Sequence, residues 1–106
     1  MENQPDTTTL GGNIQLTGFR QLDNSSMIIL KKIIGNYARR FTEICITCDS
    51  LHLTMKEVHE QEKSEKYEIH AHLTSKGQNY VSDVVDRNLF FAVDSALKKI
   101  ENEISK

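Results

Sequence analysis

The stretch of residues 88–104 constrains the fold most strongly, because its apolar side chains recur at helical spacing along one face. Asn88 stands just before that face, and its side chain can accept the free N–H groups of a first helical turn. The apolar face consists of Leu89, Val93, Ala96, Leu97, Ile100 and Ile104. A helix with a single apolar stripe has to cover another apolar surface, so the preceding segments must supply one.

Four earlier segments are strand-like, because apolar and polar residues alternate in them, in the second only from Leu51 onwards, after Asp49 and Ser50, which can break or bulge the strand. They are residues 13–19, 44–58, 67–74 and 80–85. The fully polar run 59–66 predicts the tip of a hairpin, and residues 75–77 predict a short turn that ends in glycine. Gly18 predicts the end of the first strand or a bulge in it.

A second helix is predicted after residue 22, with Asp23, Asn24 or Ser25 as its cap. Its apolar face consists of Met27, Leu30, Ile34, Tyr37 and Phe41, and Gly35 in its middle suggests close packing. Ile28 and Ile29 fall outside this face. The pattern favours partial burial of both by the preceding loop, and the alternative is an apolar contact patch for a partner.

The predicted order is therefore β-α-β-β-β-α, in the α/β (α+β) class. The last three strands should form an antiparallel meander, and the first should pair in parallel through a right-handed crossover. We expect a two-layer sandwich in which a four-stranded mixed sheet carries both helices on one face. Residues 1–12 are polar and are predicted to be a disordered tail, and residues 13–106 are predicted to form a single domain.

The composition restricts the class of protein only loosely. The chain of 106 residues has 13 basic and 15 acidic residues, a net charge of −2, which does not by itself indicate a nucleic-acid partner. Binding follows local clusters of charge, however, rather than the sum. The sequence has no apolar run long enough for a bilayer and no apolar leader, so we expect a cytoplasmic protein without a membrane partner.

Two groups of residues are candidates for metal or redox chemistry. Cys45 and Cys48 form a CxxC, but a zinc site needs four ligands and a strand directs the two thiols to opposite faces. His52, His70 and His72 are expected to share the open face of the sheet, where a metal site or a pH sensor is the alternative to ordinary surface histidines. We expect no metal and no cofactor. With no catalytic motif, the sequence predicts a non-enzymatic protein without a small-molecule substrate.

The basic residues are the stronger signal of function. If the two helices pack side by side, their lysines and arginines can form a patch that contacts phosphates, while acidic residues collect at the hairpin tip. The alternative is an ordinary solvated surface. The candidate RNA-binding residues are Lys31, Lys32, Arg39, Arg40, Lys98, Lys99 and Lys106.

The last helix resembles the ribosome hibernation-promoting factor / ribosome-associated inhibitor family, also called the sigma-54 modulation protein family. That family carries Asp-x-(Tyr/Phe)-x-Ala-Ile-Asp, four residues, then Lys-Leu-x-x-Gln-Leu-x-Lys. The matching positions here are Asn88, Phe90, Ala92, Val93, Asp94, Lys99, Ile100, Glu103, Ile104 and Lys106. The opening Ile-Gln-Leu-Thr-Gly of residues 14–18 is similar to the family's first strand.

The resemblance implies a short-form inhibitor of translation in dormant cells. Its partner would be the small ribosomal subunit, whose rRNA it would contact near the decoding channel through basic side chains of both helices. Glu103 departs from the family's glutamine, and Ile28, Ile33 and Asn36 stand where basic residues are expected. The alternative is a diverged protein-interaction module of the same fold, with a protein partner bound through Ile28 and Ile29.

Overall fold

The computed structural model describes residues 7–10, 13–20, 22–44, 48–59 and 65–106. The elements in chain order are β1 (Thr7–Thr9), β2 (Ile14–Thr17), α1 (Asn24–Ile44), β3 (Ser50–His59), β4 (Glu65–Ser75), β5 (Gln78–Asp86) and α2 (Leu89–Ile104). The strands form one sheet in the order β1-β2-β3-β4-β5, with β2 and β3 parallel and the other pairs antiparallel. The predicted mixed sheet and the order β-α-β-β-β-α are confirmed, with one further strand ahead of them.

That further strand corrects the prediction of a disordered tail at residues 1–12 for the described residues 7–10. Thr7–Thr9 pairs antiparallel with β2, and the Leu10 N–H donates to the carbonyl of Ile14 at 2.8 Å. Three consecutive β-branched threonines favour extended backbone, and pairing satisfies the outer edge of β2. The sheet therefore has five strands instead of four. Residues 1–6, 11 and 12 lie outside the described part of the chain.

The boundary between α1 and β3 also differs from the prediction. The helix runs through Ile44, whereas residues 44–58 were predicted as strand, and β3 begins only at Ser50. Ile44 follows Phe41 by three residues and so continues the helical spacing of the apolar face. Residues 45–47, including Cys45, lie outside the described residues.

The core lies between the sheet and the two helices, which occupy the same face. Alternate strand residues such as Leu16, Leu53 and Ile69 point inward and are fully buried, as are Ile34 of α1 and Leu97 of α2. Each such side chain contributes roughly 1.5–3 kcal/mol when it is buried. The opposite face of the sheet carries no covering element in the described part of the chain. Neither described helix combines the length and the apolarity needed to cross a bilayer.

Candidate nucleic-acid interface

The two helices lie side by side and run in the same direction. α1 follows β2 and precedes β3, which is parallel to β2, while α2 follows β5, which is parallel to β3. Each helix therefore runs opposite to the strands that flank it, and both begin at the same end of the molecule. We call the side of this layer that faces away from the sheet the helical surface. It is the surface on which the seven candidate residues were predicted to form a patch.

One candidate, Arg40, forms an ion pair between the two helices. Its Nε and Nη2 each donate to a carboxylate oxygen of Glu101 at 3.0 Å, and its guanidinium lies 4.6 Å from the centre of the Tyr37 ring. Burial and a hydrogen bond to Asp94 raise the pKa of Tyr37 to about 12. The seam between α1 and α2 is thus occupied by paired charges, and the charge of Arg40 is balanced by that of Glu101.

Three other candidates form a cluster on α1, which we call the basic face. It consists of Lys31, Lys32 and Arg39, all exposed, and none has an ion-pair partner among the described residues. At about 100° per residue they span an arc of about 100°, on the side of α1 turned away from α2. The cluster is therefore separated from the seam.

Gly35 lies in the middle of the basic face. A Cβ added to this exposed glycine would meet no atom within 4 Å. The predicted close packing of Gly35 is therefore wrong, because nothing lies against it. The glycine instead leaves the helix backbone accessible between the basic side chains, where a phosphate backbone can approach closely.

The basic residues of α2 are divided between free and engaged side chains. Lys98 is exposed and has no hydrogen-bond or ion-pair partner among the described residues. Lys99 Nζ donates to the backbone carbonyl of Asp83 at 3.4 Å, and Lys106 Nζ lies 3.4 Å from a carboxylate oxygen of Glu103. The seven candidates therefore do not form one continuous strip, because Glu101 and Glu103 interrupt it.

Charge is nevertheless segregated between the helices and the rest of the chain. Residues 24–44 and 89–106 contain seven basic and four acidic residues, and the remainder contains six basic and eleven acidic ones. Two of the four acidic residues, Glu101 and Glu103, are paired with basic side chains of the same layer. The helical surface is the positive side of a molecule whose net charge is negative.

Ile28 and Ile29 are exposed by 57% and 44%. The preceding loop does not cover them, so the interpretation favoured above, partial burial, is wrong. Phe91, exposed by 58%, is a further exposed apolar residue near the start of a helix, and it was not predicted. Its place on the polar side of α2, opposite Val93, was the available signal. Since both helices start at the same end, all three side chains lie towards that end of the helical surface.

The thiol and imidazole candidates do not assemble into a site. Cys48 is half-buried against the core. The histidines bond to separate neighbours: His52 Nε2 lies 2.7 Å from Thr17 Oγ1, His72 Nε2 lies 2.8 Å from Asn79 Oδ1, and His70 pairs with Asp83. Within the described residues, no three of His, Cys, Asp and Glu are grouped as a metal site requires.

The fold and the interface define an α+β domain with a basic helical surface and an uncovered sheet face. Comparison with known proteins adds no family to this description: no family model matches the chain, and no curated protein matches it.

Proposed function

We propose that this protein is a non-enzymatic, ribosome-associated inhibitor of translation, which docks its helical surface on the rRNA of the small subunit near the decoding channel. The observation that carries the proposal is the basic face of α1. Lys31, Lys32 and Arg39 extend from a rigid helix that Leu30 and Ile34 anchor in the core. The resemblance of α2 to the hibernation factors adds the ribosome as the source of the RNA.

The mechanism is electrostatic docking followed by occlusion. Each lysine or arginine that neutralises a phosphate releases a condensed counterion, and this release supplies the free energy of binding. The basic face and Lys98 supply four cations for this purpose, none of them paired with another described residue. Gly35 lets the RNA backbone approach α1 without a side chain between them. A folded domain that covers the decoding channel excludes the mRNA and tRNA that would otherwise occupy it.

Co-sedimentation with purified small ribosomal subunits tests the proposal directly. The wild-type chain should pellet with subunits at low salt and be released at high salt, with a log–log slope of about −0.7 to −0.9 for each phosphate contact. The double variant Lys31→Gln/Lys32→Gln should lower the steepness of that slope by about 1.4 to 1.8. Absence of co-pelleting by the wild-type chain at low salt would overturn the proposal.

A matched control separates docking from net charge. Lys56→Gln/Lys76→Gln removes the same two charges from exposed positions on the sheet face and in the β4–β5 turn. This variant should keep the wild-type slope, because neither lysine lies on the helical surface. If both double variants lose affinity equally, a non-specific attraction between the chain and RNA explains the binding and the basic face has no special role.

A second function, a protein-interaction module that does not bind ribosomes, is favoured by the exposure of Ile28 and Ile29. Apolar side chains of this size beside Lys31 and Lys32 suit a partner segment with both apolar and acidic residues. The variant Ile28→Ser/Ile29→Ser should then lose a partner that co-purifies with the wild-type chain. Val85→Ser, at an equally exposed position in β5, is the control and should retain that partner. Retention by both variants would contradict this second function.

A further inference from the structure

The outer edge of β5 pairs with no other strand in the part of the chain that the structure describes. Within the described part of the chain, β5 pairs only with β4, and it is nine residues long. Lys76 and Gly77 both have positive φ values, 52° and 81°, so the turn is of type I′ and makes Ser75 and Gln78 a hydrogen-bonded pair. Because bonded pairs alternate, Asn79, Val81 and Asp83 direct their N–H and C=O groups away from β4.

Beside this edge lies an open groove of about 610 Å³ between β5 and α2. The strand lines it with residues 79–83, and the helix with Lys99, Asn102 and Glu103. Ser82 Oγ donates to the carbonyl of Ala96 at 2.8 Å. This hydrogen bond shows which residues of α2 lie beside which residues of β5. One residue along β5 corresponds to about two residues along α2, so Val81 lies near the level of Lys98 and Lys99, and Asn79 near that of Asn102.

The side chains along this edge are complementary to themselves. Asn79 Oδ1 is occupied by His72 and Thr74, at 2.8 and 3.2 Å, so its amide N–H₂ faces outward without a protein partner among the described residues. Asp83 holds a carboxylate that already accepts from His70. Between them stands Val81, 57% exposed. A donor and an acceptor thus flank an apolar residue at equal distances along the strand.

We propose that two copies of this chain form a two-fold symmetric dimer by antiparallel pairing of β5 with β5, centred on Val81. That register places Val81 opposite Val81 of the second copy. It also places Asn79 of each copy opposite Asp83 of the other, so this pair occurs two times. It forms about six backbone hydrogen bonds between edge groups that have no backbone partner among the described residues. The result is one continuous ten-stranded sheet.

The helices add a second pair of contacts about the same axis. α2 packs on β5, so the two copies of α2 meet antiparallel across the dimer axis. Lys99 and Glu103 both line the groove on the helix side, and we expect the long side chain of Lys99 to reach Glu103 of the second copy. Lys99 leaves its long 3.4 Å bond to the Asp83 carbonyl, which takes a backbone N–H of the second strand in exchange.

A second copy is the occupant that fits best, because the matching charges and amides are already present on the chain itself. In other proteins, a lysine at the edge of a sheet often prevents the pairing of that edge with a second chain. Here Glu103 gives Lys99 a new partner across the axis, so the lysine specifies the register of the dimer. The dimer leaves the basic face of α1 uncovered, and the inference does not depend on the proposed function.

Light scattering after size-exclusion chromatography tests the dimer on the full chain from micromolar to millimolar concentration. The wild-type mass should rise towards twice the 12.1 kDa of one chain. Val81→Arg should abolish the rise, because two guanidinium groups would meet at the axis. Ile28→Arg is the matched control, since Ile28 is also 57% exposed but lies on α1, and it should dimerise normally.

A charge exchange tests the register. Lys99→Glu and Glu103→Lys should each weaken dimerisation, and the combination Lys99→Glu/Glu103→Lys should restore it. Lys98→Glu, the same change one residue earlier, should have no effect. A wild-type chain that stays at 12.1 kDa throughout overturns the inference, and so does a dimer that survives Val81→Arg but is lost with Ile28→Arg. A double exchange no better than the single variants overturns the Lys99–Glu103 contact.

Discussion

Two glycines of this chain, Gly18 and Gly35, differ in whether the fold requires them. Gly18, directly after β2, has a φ of +89°, and a Cβ there would lie 2.3 Å from the backbone carbonyl oxygen of Met55. The position therefore demands glycine for both its conformation and its space. Gly35 lies inside α1 with open space around it, so neither packing nor conformation requires it.

Gly18→Ala should lower the free energy of unfolding by about 3 kcal/mol or more, since it combines left-handed backbone strain with a clash against an immobile carbonyl. Urea denaturation followed by circular dichroism measures the change. Gly35→Ala is the matched control and should raise the free energy of unfolding by about 0.5–1 kcal/mol, the cost of a glycine inside a helix. A Gly18→Ala variant as stable as the wild type would contradict the close approach to Met55.

At the scale of elements, the seam between α1 and α2 determines how the helical layer behaves. Tyr37 is buried and bonded to Asp94, while Arg40 covers its ring and bonds to Glu101. The Tyr37–Asp94 and Arg40–Glu101 contacts join one helix to the other. The seam therefore aligns the two helices and, in doing so, uses charges that would otherwise contribute to the helical surface.

The seam should also make the protein sensitive to high pH. The folded-state pKa of Tyr37 is raised from 10.0 to about 12, so the folded state holds its proton more tightly than the unfolded state. This contribution to stability is fully present below pH 10 and should be lost as the pH rises towards 12. Denaturation midpoints measured across that range should fall less steeply for Tyr37→Phe. An equal alkaline dependence in both proteins would contradict the burial of this hydroxyl.

At the scale of the whole molecule, one core couples both layers. Leu53 of β3 and Leu97 of α2 are fully buried in the same cluster, although they are distant in sequence. We therefore expect helices and sheet to unfold together. The same two-layer arrangement gives the molecule two different surfaces. The helices carry the excess of cations, and the opposite face of the sheet is open and mostly polar.

Leu53→Ala and Leu97→Ala should each lower the free energy of unfolding by about 2–5 kcal/mol, because each leaves a cavity in the shared core. Both variants should still unfold in a single transition that far-UV circular dichroism and tyrosine fluorescence report at the same denaturant concentration. Transitions at different concentrations would show that the layers unfold separately. Val85→Ala, at an exposed position of β5, is the control and should change stability little.

Local periodicity was enough to predict the main elements and their faces. The spacing of three and four residues identified both helices, and the alternation of two identified the strands, because each follows from backbone geometry alone. The alternation also indicated which strand residues, such as Leu51 and Leu53, face the core. The mixed sheet followed from the order of the elements and the length of their connections.

The tertiary structure decided which of the predicted site residues are available. Arg40 is engaged by Glu101, 61 residues away along the chain, and Lys99 by the carbonyl of Asp83. Such contacts depend on how helices are placed against each other and against the sheet, and no local pattern encodes that placement. The pairing of Thr7–Thr9 and the open edge at Val81 were decided in the same way, because a strand becomes an edge only when the whole sheet is assembled.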